Sequence, residues 1–236
     1  MRKEPFGIGD YVHVIKRGAR GMHLVRDESD RWRFLLLLRH CNDSRSLQEN
    51  WYRELMDLKM ANTLDRPPKW PIQKPLTKVL SYRLMDNHFH LLLKEVVENG
   101  IAKFMQKVCS GMSNHFNAKY NEKGSLFQGA YKAKTIKDDD YLKCVSAYIQ
   151  VKNSFELYSG GYDKAVQEFE KAYEWSVSDP YCSLGCYADD RESPIIEKEI
   201  LGEIFEGGKE FNSFAKEYIL SRNDQLRLEN FEDEFE

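Results

Sequence analysis

The chain has 236 residues, of which 42% are hydrophobic and 13% aromatic, enough apolar material to bury a core and to exclude wholesale disorder. The longest wholly apolar run, Phe34 to Leu38, is far too short to span a bilayer, and Met1-Arg2-Lys3-Glu4-Pro5 leads into no apolar secretory segment, so a soluble, cytoplasmic protein is expected. The net charge of -3 conceals a split: residues 1–160 carry 27 Lys+Arg against 18 Asp+Glu, and residues 161–236 carry 8 against 20. A basic body with an acidic tail suits a polyanionic partner on the body or an unevenly charged solvated surface. Five scattered cysteines, Cys41, Cys109, Cys144, Cys182 and Cys186, suit reduced thiols better than a disulfide framework.

In chain order, Tyr11 to Ile15 reads as a β-branched strand followed by a basic turn, Lys16 to Gly21. A helix opens near Ser29-Asp30 and carries Trp32, Phe34, Leu35 and Leu38, and a second amphipathic stretch runs from Leu47 to Leu64. Prolines 67, 68 and 71 make the next segment a loop. Thr77–Met85 and His88–Leu93 read as two strands joined by Asp86-Asn87, a β-hairpin. Ile101–Tyr120 has helical periodicity, Ala130–Ile136 reads as a strand, and Tyr141–Leu157 as a helix that ends before Ser159-Gly160-Gly161. Beyond the glycines the chain turns helical and acidic, with candidates at Asp163–Val177, Ile195–Phe205 and Lys209–Ser221 and a fraying tail from Glu229. The pattern predicts an α+β domain over 1–160 and an acidic helical region over 161–236, the latter either capping the domain or lying over its basic surface.

Three groups of residues carry chemistry. His88 and His90 sit at i and i+2 on a strand, so both imidazoles leave one face, roughly 7 Å apart along it, while Phe89 and Leu91 leave the other. Such a pair can converge on one divalent metal ion or be two ordinary half-buried histidines. Tyr148 lies mid-helix with Lys152 at i+4 on the same face. A tyrosine can act as a nucleophile, but its free pKa of about 10 calls for activation by a metal or other cation; by itself a helical tyrosine is more often a core residue with its hydroxyl at the surface. Arg17 and Arg20 in the first turn, and Lys132 and Lys134 beside Tyr131 and Phe127, interleave cations with aromatic platforms, which suits single-stranded nucleic acid or an ordinary amphipathic strand and loop.

The run Leu84-Met-Asp-Asn-His-Phe-His-Leu-Leu-Leu93 resembles the histidine motif of the one-tyrosine HUH transposases, especially the REP-associated tyrosine transposases. Tyr11 to Gly18, Phe104 to Lys107, Phe116-Asn117, Gly124 to Gly129, Tyr131-Lys132, Asp140 to Ile149 and Glu174-Trp-Ser176 resemble that family's further elements in the same order, over about residues 8–222. The resemblance implies a ferredoxin-like or RRM-like antiparallel sheet with helices on one face, extended here by the C-terminal helices. It implies Mg2+ or Mn2+ held by His88 and His90, and attack by Tyr148 on single-stranded DNA that carries hairpin elements. The product would be a 5′-phosphotyrosine and a free 3′-hydroxyl, resolved by strand transfer, in a monomer or homodimer. The family usually has Gln or Asn four residues after the tyrosine as a third metal ligand, where this chain has Lys152; Asn153 and His13 are the candidate substitutes. Asp86 stands in place of a common Pro and Ala130 in place of a common Arg. The same fold could instead serve a domesticated, non-cleaving hairpin-binding protein. A small-phosphoester hydrolase using the histidines with Asp86 or Glu95 is a third reading.

Overall fold

A computed structural model describes residues 6–45 and 50–221. Four strands, β1 (Tyr11–Arg17), β2 (Thr77–Leu84), β3 (His88–Glu95) and β4 (Lys132–Ile136), form one antiparallel sheet in the order β2-β3-β1-β4. Helix α1 (Glu28–His40) with the short α2 (Trp51–Asp57) connects β1 to β2, and α3 (Gly100–Tyr120) connects β3 to β4. This β-α-β-β-α-β order with β1 and β3 central is the ferredoxin-like arrangement. Among the described residues no helix is long and apolar enough to cross a membrane.

Alternation along the strands sorts side chains between two cores. Val12, Val14, Phe89, Leu91 and Leu93 face α1 and α3, where Phe34, Leu37, Phe104, Met105 and Val108 close the first core. Phe89, fully buried, packs 5.0 Å from Phe34 and 6.1 Å from Phe127 between ring centroids and so anchors the His-Phe-His strand to that layer. A Cβ at Gly111 would lie 2.4 Å from Leu37 Cδ2, so glycine there permits the close approach of α3 to α1. On β2 a bulge sets Leu80 and Ser81 against one residue, Leu92, and this shift puts Arg83 beside His90.

The other sheet face is covered too. The helix expected over Tyr141–Leu157 is continuous but composite: α4 (Asp139–Ala147), a π turn over Tyr148–Lys152, and α5 (Asn153–Glu156). It packs with α7 (Phe169–Ser178), α8 (Leu184–Ala188) and α10 (Gly208–Leu220) on Leu80 and Leu92 to make a second core. The sheet thus has helices on both faces, because the C-terminal helices supply the second layer. That core draws on residues before and after Gly160, so within the described residues the acidic region is a helical cap.

Local differences from the expected elements have local causes. The Leu47–Leu64 stretch yields a helix only over Trp51–Asp57, ended where Lys59 adopts a positive φ of 56°; Leu47 lies outside the described residues. Asp163–Val177 divides at Glu168 into α6 (Gly161–Gln167) and α7, and Ile195–Phe205 is helical only over α9 (Ile200–Ile204). The tail from Glu229 lies outside the described residues.

Candidate active site

The β2–β3 turn fixes one end of the site. Asn87 O accepts from Gly18 N at 2.7 Å and Asp86 O from Leu24 N at 2.7 Å, so the segment after β1 clamps the turn. A Cβ at Gly18 would sit 2.1 Å from Met22 O, which is why glycine occupies this crossing. Asp86 is ion-paired with Arg31 of α1. Asn87 Oδ1 accepts from His88 Nδ1 at 2.7 Å, which leaves the lone pair of neutral His88 on Nε2.

His88 and His90 leave the same face with ring centroids 4.9 Å apart. His13 lies nearly parallel to His90, centroids 5.3 Å apart, with His13 Nε2 and His90 Nδ1 sharing a 3.1 Å hydrogen bond. Tyr148 meets both edge-on, 5.7 Å from His90 and 6.1 Å from His13. Residues distant in sequence therefore converge: the histidine strand, the first strand and the π turn share one buried cluster. Burial lowers the pKa of His13 to about 3, with Lys134 adding to the effect. Burial, then Arg17 and Lys152, lowers His88 to about 4, and burial with the neighbouring imidazoles takes His90 well below its ordinary value. All three are neutral at pH 7, the form that can donate a nitrogen lone pair to a metal.

Lys152 is buried, holds Glu156 Oε1 at 2.6 Å, and sits 5.1 Å from the centre of the Tyr148 ring. The π turn, closed by the Asn153 N–H to Tyr148 O, inserts an extra residue into the helix at this point; such turns concentrate at functional sites. Gln150 is committed elsewhere, donating to Ser146 Oγ at 2.8 Å and accepting from Ser183 Oγ at 2.9 Å. Asn153 is buried just past the turn, and among the described residues no hydrogen bond joins it to the histidines.

Basic residues surround the cluster on its own face. Arg17 is the cross-strand partner of His88, Lys134 of His13 and Lys132 of Ile15. Lys134 Nζ lies 4.9 Å from the Tyr141 ring centre. Arg20 is exposed in the short 3-10 turn beyond β1. Arg83, not among the residues expected at the site, is fully buried beside His90 and ion-paired at 2.5 Å to Asp179. Its only sequence signal was a cation inside an apolar strand; the partner is 96 residues away. The two acids that a phosphoester hydrolase would need are engaged: Asp86 with Arg31, and Glu95 in capping the Gly100 and Ile101 N–H groups of α3 at 3.0 and 2.7 Å.

The family model described as "Transposase IS200 like" matches residues 53–152, which include His88, His90, Tyr148 and Lys152. Over that segment, 100 of the 236 residues, the chain is similar to the IS200-like transposases. A solved structure described as "the REP associates tyrosine transposase bound to a REP hairpin" is similar at 10% sequence identity, with a TM-score of 0.45 over 84% of this chain and 93% of that one. No curated protein matches the chain. The histidine strand and the Tyr148–Lys152 turn lie within the matched residues, whereas His13 and Arg17 come from β1 outside them.

Proposed function

We propose that the protein is a metal-dependent single-stranded DNA endonuclease and strand transferase with Tyr148 as its nucleophile. The observation that supports this most is the meeting of the Tyr148 ring with His90 and His13 on one side of the sheet. His88 and His90 would hold the divalent ion, Mg2+ or Mn2+, whose charge offsets that of the scissile phosphate; an imidazole set suits Mn2+ better than Mg2+. His13 orients His90 through their shared hydrogen bond. Tyr148 Oη attacks phosphorus, the bond to the 3′-oxygen breaks, and the phenolic proton balances the 3′-hydroxyl that leaves. The 5′ side stays on the tyrosine, so the bond energy is kept for transfer to another 3′-hydroxyl without a nucleotide cofactor. Lys152 stabilises negative charge on the phenol oxygen and the phosphate, and Arg17, Arg20, Lys132 and Lys134 hold flanking phosphates. Tyr148 is fully buried, so a strand reaches it only after the packing around it opens.

That burial, with a lysine where the family usually has an amide ligand, also favours a second reading, a non-cleaving binder of DNA or RNA hairpins. An end-labelled hairpin-bearing strand incubated with Mg2+ or Mn2+ separates the two. Endonuclease action gives cleavage that a chelator stops and that His88→Ala with His90→Ala removes. Salt-sensitive binding without cleavage in either metal leaves the binder.

A further inference from the structure

On the opposite face of the sheet, at the C-terminal end of α1, lies a second concentration of cations and aromatic rings that the transposase chemistry does not use. His40 is fully buried, 5.7 Å from Trp51 and 5.4 Å from Trp70 between ring centroids, and neither of its ring nitrogens has a hydrogen-bond partner. The Arg33 guanidinium carbon is 3.7 Å from the Tyr52 ring centre and 4.8 Å from that of Trp51, with its Nε and Nη1 buried and unpartnered. Arg66 stands 5.3 Å from Trp70, and its Nη1 is likewise buried and unpartnered.

Several buried donors left unmatched in one place are rare in folded proteins and call for an acceptor. The nearby carboxylates do not fill that role: Asp43 pairs with Arg45 and Arg66, and Glu54 takes Lys69 and the Trp70 indole N–H. Among the described residues Arg33 has no ion pair. Gln73 occupies the carbonyls of Arg39 and Asn42 at the end of α1, which removes part of the negative potential expected there. Arg33, Arg39 and Arg66 all act on His40 electrostatically. Cationic donors beside half-buried indole rings suit one ligand chemistry, a phosphodiester with an attached base.

We propose that Arg33, His40 and Arg66 form a second binding station for single-stranded nucleic acid, with a phosphate on the arginines and a base stacked on Trp51 or Trp70. The inference rests on the nucleic-acid reading above and extends it to a segment of strand away from the scissile phosphate. Arg31, which pairs with Asp86 beside the histidine turn, precedes His40 by nine residues on α1, about 14 Å of helix. The histidine turn and this station are thus linked along one helix.

The test uses the full-length protein and a 20-nucleotide single strand substituted with 5-bromodeoxyuridine, irradiated and mapped by peptide mass spectrometry. Adducts on Trp51, Tyr52 or Trp70 are expected, and Arg33→Gln with Arg66→Gln should remove them and weaken binding about tenfold at 0.1 M salt, with a shallower salt dependence. Adducts confined to the histidine face, with the double variant binding as tightly as the parent, would overturn this inference and leave the nucleic-acid reading standing. Absence of strand binding by the unaltered protein would overturn both. Because the adduct map is read on the unaltered chain, it does not depend on whether the double variant folds.

Discussion

Asp179→Asn is the sharpest stability test of how the second helical layer is tied to the histidine face. Arg83 is fully buried, its Nη1 is 2.5 Å from Asp179 Oδ2, and the Asp179 side chain is 19% exposed. Removing one partner of a buried ion pair leaves an uncompensated charge and typically costs 3–5 kcal/mol; the partial exposure of Asp179 favours the lower end, about 3 kcal/mol. With a urea slope of about 3 kcal/mol/M for a chain of this size, the unfolding midpoint should fall by about 1 M. Equilibrium urea unfolding followed by tryptophan fluorescence measures it. Arg83→Met combined with Asp179→Leu should recover most of the loss, since an apolar pair of similar volume carries no unpaired charge. A midpoint within 0.2 M of the parent for Asp179→Asn, or a double variant as unstable as the single one, would refute the reasoning.

His13 and His40 have pKa values lowered to about 3, chiefly by burial, against 6.5 when unfolded. Their stabilising effect is complete above the unfolded value and is lost as pH falls toward the folded one, so between pH 7 and pH 5 each costs about 2 kcal/mol. Urea unfolding at the two pH values checks this, and equal stabilities would contradict it. Lys152→Gln restores a neutral oxygen donor four residues after the tyrosine and should lower the metal concentration for half-maximal cleavage about tenfold, read by titrating Mn2+; an unchanged midpoint would remove Lys152 from the metal's surroundings. Phe89→Ala should destabilise the protein by 3–5 kcal/mol in the same urea assay, because the ring bridges Phe34 and Phe127 beneath the histidine strand; a loss under 1 kcal/mol would mean that the histidine strand is held by other contacts.

Much of this architecture was legible because it is periodic. The period-2 pattern of His88-Phe89-His90-Leu91 assigns each side chain to its face, and the observed cores follow it. The helical period of Ile101, Phe104, Met105, Val108 and Met112 fixed the buried stripe of α3. What stayed hidden depends on contacts between distant segments or on breaks in period. The bulge at Leu80/Ser81 reverses the alternation that would otherwise be read through β2, and the π turn changes the angle from Tyr148 to its successors. Arg83 and Asp179, or Gln150 and Ser183, become neighbours only when the C-terminal helices fold back on the sheet. The acidic composition of those helices pointed to a charged surface, while Phe169, Tyr187 and Phe211 carry the buried side that makes them a layer.

In the proposed reaction Tyr148 and the histidine pair act on one phosphate. Intact-mass analysis of the protein after incubation with a hairpin-bearing single strand and Mn2+ tests it directly. The expected result is a covalent protein–DNA species whose nucleotide maps to the peptide carrying Tyr148, absent from a folded Tyr148→Phe protein that still binds the strand. An adduct of equal yield in Tyr148→Phe, or one mapped to another residue, would contradict it.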